Sequence, residues 1–177
     1  MRVSCPLSDY VDVNPPTDVS HRCPDERVSF IPMASVEEGG GWSSDAIRPL
    51  SSAKTGYTLF RDGDVICAKI TPCFENGKLA LLRGLVGGVG LGSTEFHVLR
   101  PRNDTDARFI YQWVQHPEFR RAGEAAMTGS AGQRRVPPTF FQRFEVPIIE
   151  PAEQRAIADV LESVDAAIRE TEALIAK

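Results

Sequence analysis

The stretch from Gly63 to Leu82 reads GDVICAKITPCFENGKLALL, and the stretch from Gly92 to Pro101 reads GSTEFHVLRP. Val65–Ile70 and Leu79–Leu82 are short apolar runs with β-branched residues, a pattern that predicts two buried strands. Thr71–Lys78 lies between them and contains the proline, asparagine and glycine that are typical of turns. These stretches predict a sheet core that presents basic, hydrogen-bonding loops.

Thr94–Leu99 is predicted to form a third strand of this core. Its alternation sends Phe96 and Val98 to one face, and it sends Glu95, His97 and Leu99 to the other. The run Gly87–Gly92 precedes it and does not match the spacing or the βαβ context of a dinucleotide-binding loop. We therefore expect the glycine run to be a flexible connection between strands.

The flanking sequence predicts further strands and two short helices. Val28–Ile31 and Phe144–Ile149 have the composition of strands. Asp106–Gln115 has helical apolar spacing, with Asp104 or Thr105 as the expected cap, and Glu118–Met127 is a second short helix after the interruption at Pro117. Strands and helices in this order predict an α+β fold with a mixed or antiparallel sheet.

The last part of the chain is predicted to be one long helix. Pro151 and Glu153 occupy the first turn, where proline and acids are favoured. The apolar residues then advance by three and four, as in a coiled-coil seam, over a rod of roughly 37 Å. This favours pairing with another helix, and the alternative is packing against its own domain. The predicted pairing residues are Ile157, Val160, Leu161, Val164, Ile168 and Ile175.

Composition indicates a soluble protein of one globular domain with an appendage. The chain has 177 residues, of which 42% are hydrophobic and 25% charged, which is ordinary for a globular protein. No apolar run approaches the ~20 residues that span a membrane. Because the first residues also lack the apolar stretch of a signal peptide, we expect a cytoplasmic protein with four free cysteines and no membrane partner.

The net charge of −4 conceals an uneven distribution along the chain. Residues 1–45 carry three arginines and eight acids, and residues 144–177 carry three basic residues and eight acids. Residues 46–143 carry fourteen basic residues and eight acids. A basic middle between acidic ends favours a polyanion-binding face, and the alternative is a charge spread evenly over solvated surface.

The sequence predicts no catalytic, metal or cofactor site. Asn14–Thr17 resembles the Asn-Pro-Pro-aromatic motif of amino-methyltransferases, but a threonine stands where the aromatic ring would stack on a flipped base. Asp64, Glu75 and Lys78 are the residue types of a metal-dependent nuclease, yet they do not alternate along a strand. The cysteines and histidine within 5–23 match no common zinc spacing.

A glycine-rich basic loop, Gly129–Arg135, is the most specific candidate for nucleic-acid binding. Ser130 and Gln133 are suited to hydrogen bonds with phosphates or base edges, and Arg134 and Arg135 are suited to bidentate contacts. Basic residues of the sheet core would add phosphate contacts; the alternative for each is an exposed solubilising charge. The predicted DNA-binding residues are Lys69, Thr71, Lys78, Arg83, Ser130, Gln133, Arg134 and Arg135.

Several sequence segments of the chain, taken in order, resemble those of one half of a type I restriction–modification specificity subunit. They cover nearly the whole chain, and together they are highly specific for that family. The matching segments are Val28–Met33, Gly56–Tyr57, Phe60–Lys78, Gly92–Pro101, Gly129–Val136 and Pro147–Leu161.

The resemblance implies a target recognition domain, residues 1–150, followed by a conserved spacer helix, residues 151–177. It implies a non-catalytic subunit without cofactors that binds double-stranded DNA, reads one half of a split target, and directs an adenine-specific methyltransferase subunit and an ATP-dependent restriction subunit to it. The chain departs from the family in holding one recognition domain, as a half-subunit or a truncated chain would. A half-subunit would pair with itself through the helix seam and recognise a palindromic split target.

Two other functions remain open from the sequence. The chain would be a coiled-coil adaptor if it bound the methyltransferase without reading DNA. It would be a stand-alone nuclease or methyltransferase if the purified chain had activity by itself. The bases recognised depend on loop shape and on a few side chains, which no spacing rule decodes.

Overall fold

The computed structural model describes residues 4–130 and 132–175. Within them lie ten strands and three α-helices, joined by short 3₁₀ turns. The strands are β1 (Ser4–Pro6), β2 (Val11–Val13), β3 (Arg27–Ile31), β4 (Ile47–Pro49), β5 (Thr58–Arg61), β6 (Val65–Ala68), β7 (Leu79–Leu81), β8 (Val89–Gly92), β9 (Phe96–Pro101) and β10 (Glu145–Pro147). The helices are α1 (Ala107–Gln115), α2 (Pro117–Ala126) and α3 (Pro151–Ile175).

The strands form two four-stranded sheets and one two-stranded pair. The central sheet is antiparallel throughout, in the order β2-β9-β6-β7. The second sheet has the order β4-β3-β8-β5 and is mixed, because β3 and β8 run parallel. β1 pairs with β10. The predicted α+β class with mixed and antiparallel sheets and a long last helix is confirmed. No helix in the described ranges has both the length and the hydropathy needed to cross a bilayer.

Apolar side chains cover the central sheet on both faces. Val65 and Leu99 face a core shared with α1 and α2, in which Phe109 is buried. Ile66 and Val98 alternate to the other face, where they join the core between the two sheets. Phe96 also lies in that second core, so the predicted alternation along β9 is confirmed.

The prediction for the glycine run was wrong. Val89–Gly92 is strand β8, which lies between β3 and β5 in the second sheet. The ring of Phe60 lies across Gly90 and Gly92, and a Cβ atom at either glycine would overlap it. Glycine is therefore required here by close packing, a role that the sequence pattern did not distinguish from flexibility.

The helix starts differ slightly from the predicted ones. Asp106, rather than Asp104 or Thr105, caps α1: its carboxylate accepts a hydrogen bond from the Arg108 amide at 2.8 Å. The second helix begins at Pro117 itself, where the missing proline N–H costs nothing. The three-residue strand β10 is shorter than the predicted Phe144–Ile149.

A buried ion pair closes one end of the central sheet. Asp64 is fully buried, and Arg100 donates to its two carboxylate oxygens, from Nε and from Nη2, each at 2.8 Å. Arg100 also donates to the Pro16 carbonyl at 3.1 Å and to the Thr17 hydroxyl at 2.9 Å. The segment Asn14–Thr17, which resembles a methyltransferase motif, is thus attached to the core through Arg100 and has a structural role.

Polar contacts hold α3 against α1. Gln154 is buried and accepts from the Asp106 amide at 3.1 Å, while its amide nitrogen donates to the Ile149 carbonyl at 2.8 Å. Arg108 donates to both Asp159 and Glu162. Hydrogen bonds to Asp106 first, and then to Asp159 and Glu162, raise the pKa of Arg108, and the arginines beside Glu162 lower the pKa of that carboxyl.

We expect the two aspartate–arginine pairs at this end of the central sheet to differ sharply in their effect on stability. Asp64→Ala leaves Arg100 as an unpaired buried cation and should cost about 3–5 kcal/mol of unfolding free energy. Asp12→Ala removes the exposed pair with Arg102 and should cost about 0–1 kcal/mol. Urea unfolding of both variants measures the difference, and equal losses would contradict the structural role of Asp64.

Candidate nucleic-acid interface

Three loops meet at one end of the central sheet. β6 ends at Ala68, which stands opposite Phe96 at the start of β9, and β7 begins beside them at Leu79. Because these strands are antiparallel, residues 69–78 and 93–95 leave the sheet at the same end. Residues 128–130 and 132–136 follow α2 and lie against them. We call these three segments the loop end.

Backbone hydrogen bonds join the three segments into one surface. The Thr71 amide donates to the Arg134 carbonyl at 3.0 Å, and the Val136 amide donates to the Lys69 carbonyl at 2.8 Å. The Lys69 amide donates to the Glu95 carbonyl at 2.9 Å. The loop end is therefore held by main-chain pairing, so its side chains are presented from a fixed frame.

Six of the eight predicted DNA-binding residues lie together at the loop end. Ser130 and Gln133 are exposed, and the other four are half-buried. The six are Lys69, Thr71, Ser130, Gln133, Arg134 and Arg135. Proximity of residues that are some sixty positions apart in sequence is what a shared binding surface requires.

The two neighbouring arginines have different surroundings. Arg135 donates from Nε and Nη2 to the two oxygens of Glu95, at 3.0 and 2.8 Å. This hydrogen bonding raises the pKa of Arg135 and lowers the pKa of Glu95. Arg134 instead donates at 3.0 Å to the Glu124 carbonyl, near the end of α2, where a cation satisfies an otherwise unpaired carbonyl.

The remaining two predicted residues are engaged elsewhere. Lys78 is the last residue of the segment 69–78, but its ammonium group donates to the Val36 carbonyl at 2.7 Å. Arg83 follows β7 at the opposite end of the central sheet and donates to Glu162 of α3 at 2.7 Å. The structure therefore does not bring the ammonium group of Lys78 or the guanidinium group of Arg83 together with the other six side chains.

A buried histidine of β9 supports the loop end by a hydrogen bond to its backbone. His97 is 2% exposed, and its Nε2–H donates to the Val136 carbonyl at 2.8 Å. Its Nδ1 accepts from the Asn14 amide at 3.0 Å, which fixes the neutral tautomer. Burial lowers the pKa of His97 from 6.5 to about 4. The predicted alternation of β9 had placed this residue on the face of Glu95, but it did not show the two partners.

Helix α2 supports the loop 69–78 by packing against it. Phe74 packs against Phe119, and a Cβ atom at Gly123 would overlap the Phe74 ring. Within the same loop Thr71 donates to Glu75 at 2.6 Å. Asp64 lies at the other end of the central sheet, bound to Arg100, so the nuclease-like set of Asp64, Glu75 and Lys78 is not assembled.

The apolar seam of α3 forms a second candidate surface. The polar side of this helix contacts α1, and beyond Ile157 and Leu161, which line a groove with the domain, the seam is exposed. Ile157 begins it, partly buried beside a groove of about 400 Å³ lined by Phe109 and Trp113. The other predicted pairing residues, Val160, Leu161, Val164, Ile168 and Ile175, are 37 to 80% exposed. A continuous exposed apolar stripe indicates an interaction surface.

Comparison with curated proteins finds close relatives. The chain is 40% identical over 153 residues to the type I restriction enzyme EcoEI specificity subunit of Escherichia coli, covering 85% of this chain and 25% of the relative. It is 41% identical over 153 residues to the EcoAI specificity subunit of the same organism, covering 26% of that relative. The chain thus spans about a quarter of the length of the curated relatives it matches. No family model matches it.

Comparison with solved structures finds the same fold at low identity. The HsdS subunit from Thermoanaerobacter tengcongensis superposes with a TM-score of 0.74 at 20% identity, over 97% of this chain and 44% of that one. A chain from a study of complex assembly and conformational transition in the type I R-M system gives 0.64 at 15% identity, over 97% and 40%. The S subunit from M. genitalium gives 0.56 at 15% identity, over 99% and 42%.

The depressed pKa of His97 predicts a loss of stability on mild acidification. Between about pH 6.5 and about pH 4 the unfolded chain protonates this ring while the folded protein does not. The unfolding free energy should therefore fall through that window, by up to about 3 kcal/mol. Denaturant unfolding at several pH values measures the slope.

A substitution at His97 tests the source of that slope. His97→Gln removes the titrating group, so the difference in slope between wild type and variant should lie within this pH window. His21→Gln, at an exposed position, is the control and should retain the wild-type slope. An unchanged slope in His97→Gln would refute the assignment.

Proposed function

Because this chain is a relative of type I restriction enzyme specificity subunits and spans about a quarter of their length, we propose that it reads one half of a split DNA target for such an enzyme. The observation that supports this most directly is the loop end. Six hydrogen-bonding or basic side chains, drawn from two distant segments, share one backbone-paired surface there. A rigid frame of donors is what sequence reading needs, since loosely held side chains would adapt to many sequences.

The loop end contains groups suited to both parts of DNA recognition. Lys69 is a half-buried cation beside the sheet and is suited to a phosphate oxygen, which sets position on the duplex. Ser130 and Gln133 are exposed at the loop tip and are suited to base edges in the major groove. Arg135 belongs to the same surface and is held by Glu95. The division of 1–150 as recognition domain and 151–177 as spacer helix follows from the same proposal.

The proposed role is non-catalytic, in agreement with relatives that are specificity subunits. The chain would direct an adenine-specific methyltransferase subunit to the half-site and, for cleavage, an ATP-dependent restriction subunit. The exposed seam of α3 would pair with a second spacer helix, either from another copy of this chain or from another recognition domain. Twofold pairing of identical copies would place two identical half-sites at a fixed separation.

The adaptor function remains the second candidate, and the exposed seam of α3 is the observation that favours it. An adaptor that binds the methyltransferase without reading DNA needs the seam but has no use for a set of presented donors. The construction of the loop end therefore favours DNA reading. The two functions differ in whether loop-end substitutions change DNA binding.

We expect loop-end substitutions to weaken DNA binding without unfolding the domain. Lys69→Ala should lower affinity about tenfold across all sequences and reduce the magnitude of the salt slope by about one, because one phosphate contact is lost. Fluorescence anisotropy with the chain and its methyltransferase subunit, at several salt concentrations, measures both effects.

Arg27→Ala is the matched control for Lys69→Ala. It removes one exposed positive charge at the start of β3, away from the loop end. Its affinity and salt slope should stay near wild type. If Arg27→Ala weakened DNA binding as much as Lys69→Ala, the attraction would be non-specific. If the chain bound the methyltransferase and Lys69→Ala left DNA affinity unchanged, the adaptor function would be supported.

The exposed seam of α3 predicts self-association of the chain. Leu161→Glu together with Val164→Glu places two charges on the seam and should abolish dimers while leaving thermal unfolding of the domain unchanged. Ala156→Glu together with Ser163→Glu adds the same charge at exposed positions off the seam and should leave association intact. Sedimentation equilibrium measures both variants. A wild type that stays monomeric at all concentrations would exclude self-pairing and leave pairing with another helix.

A further inference from the structure

We propose that Arg135 reads a guanine base in the major groove and that Glu95 is the positioning residue that aims it. This inference rests on the proposed function and assigns a base contact within it. It separates Arg135 from the phosphate-binding cations of the same surface. The geometry, the local charge and the backbone frame around this pair each support it.

Arg135 has donors left over after its contacts within the protein. A guanidinium group carries five N–H groups. Nε and Nη2 donate to Glu95, and Nη1 donates to the Gln133 carbonyl at 3.0 Å. One N–H on each terminal nitrogen remains, and no acceptor for either lies within residues 4–130 and 132–175. Two donors from the terminal nitrogens match the paired O6 and N7 acceptors of guanine.

The local charge favours a base over a phosphate as the partner of Arg135. The Glu95 carboxylate cancels much of the guanidinium charge, so long-range attraction to a phosphate is weak. Directional hydrogen bonds to uncharged acceptors are unaffected by that cancellation. A carboxylate this close would also repel a phosphate that approached the free donors. Lys69 is near enough to Glu95 to help lower the pKa of that carboxyl. Its ammonium group forms no hydrogen bond within residues 4–130 and 132–175, so it is the cation suited to phosphate.

The backbone on both sides of the pair is fixed. The Arg135 amide donates to the Thr128 carbonyl at 2.8 Å, and Arg135 bridges to Ile70 in the loop after β6. The Glu95 carbonyl accepts from Lys69, and its amide lies 3.2 Å from the Ser93 hydroxyl. The arginine therefore loses little conformational freedom when it binds, which favours selective recognition.

Exposure distinguishes this pair from the buried one at the other end of the sheet. Arg135 and Glu95 have side chains 41% and 27% exposed, so a ligand can reach the free donors. Arg100 and Asp64 have the same paired geometry at 11% and 1% exposed, and the other donors of Arg100 bind the protein. Only the first pair has both fixed geometry and access to a groove.

The experiment selects DNA from a random library with the chain and its methyltransferase subunit. Wild type should select a half-site that contains a required guanine. Arg135→Ala should relax that position, with roughly ten- to hundredfold loss of discrimination there, while the other positions of the half-site are retained. Arg135→Lys should relax it equally, because lysine keeps the charge but has no planar fork.

Glu95→Gln and a modified base test the two partners separately. Glu95→Gln frees the guanidinium charge, so discrimination at the guanine should fall several-fold while binding to unrelated DNA increases. Substituting 7-deazaguanine at the required position removes N7 and should weaken wild type but not Arg135→Ala. Arg22→Lys alters another glutamate-paired arginine, remote from the loop end, and should leave the selected sequence unchanged.

The outcomes separate this inference from the proposed function. If Arg135→Ala lowers affinity equally for all sequences and Arg135→Lys restores it, Arg135 contacts phosphate and the inference is overturned, while DNA reading stands. If wild type selects no sequence while it binds the methyltransferase, the proposed function fails, and the inference fails with it. Circular dichroism melts of each variant verify that the fold is intact.

Discussion

The pairing register between β6 and β9 is the constraint on which the rest of the structure depends. It sets Val65 opposite Leu99 and Ala68 opposite Phe96. Just beyond one end of the pairing, Asp64 meets Arg100 in a buried ion pair; just beyond the other, Lys69 meets Glu95 at the loop end. A slip by one residue would send each apolar side chain of these strands to the opposite face. The same register that fills two cores therefore assembles the candidate interface.

The basic residues of the middle segment divide into two groups by the partners they find. Lys78, Arg83, Arg100 and Arg134 donate to carbonyl or carboxylate oxygens within the protein and hold loops, helix ends or α3 in place. At the loop end, the ammonium group of Lys69 and two N–H groups of Arg135 have no acceptor within residues 4–130 and 132–175. Part of the excess positive charge between residues 46 and 143 is therefore structural, so net charge alone overestimates the charge available to a ligand.

Helix α3 is attached to the domain largely by polar contacts, with the buried Ala158 and the partly buried Ile157 as apolar contacts near its start. Gln154 is buried and hydrogen-bonded at both ends of its amide, and the acids of the helix pair with Arg83 and Arg108. This leaves the apolar seam exposed from Val160 onward. Exposed apolar area is unfavourable in water, so covering the seam with a partner would be favourable.

Local patterns in the sequence determined the α+β class, the three helices and the approximate spans of β3, β6, β7 and β9. They also determined which residues of β9 share a face. The reason is that burial imposes a period of two or of 3.6 on apolar residues. Local patterns also identified six residues that lie together at the loop end. Tertiary structure alone decided that Gly90 and Gly92 are strand residues packed under Phe60, that His97 binds Asn14 and Val136, and that Glu95 holds Arg135. Each of these contacts joins residues that are at least thirty positions apart, or depends on the space left by a neighbour. A one-dimensional pattern records which residues prefer burial, but the partner of a polar group is chosen by the folded geometry.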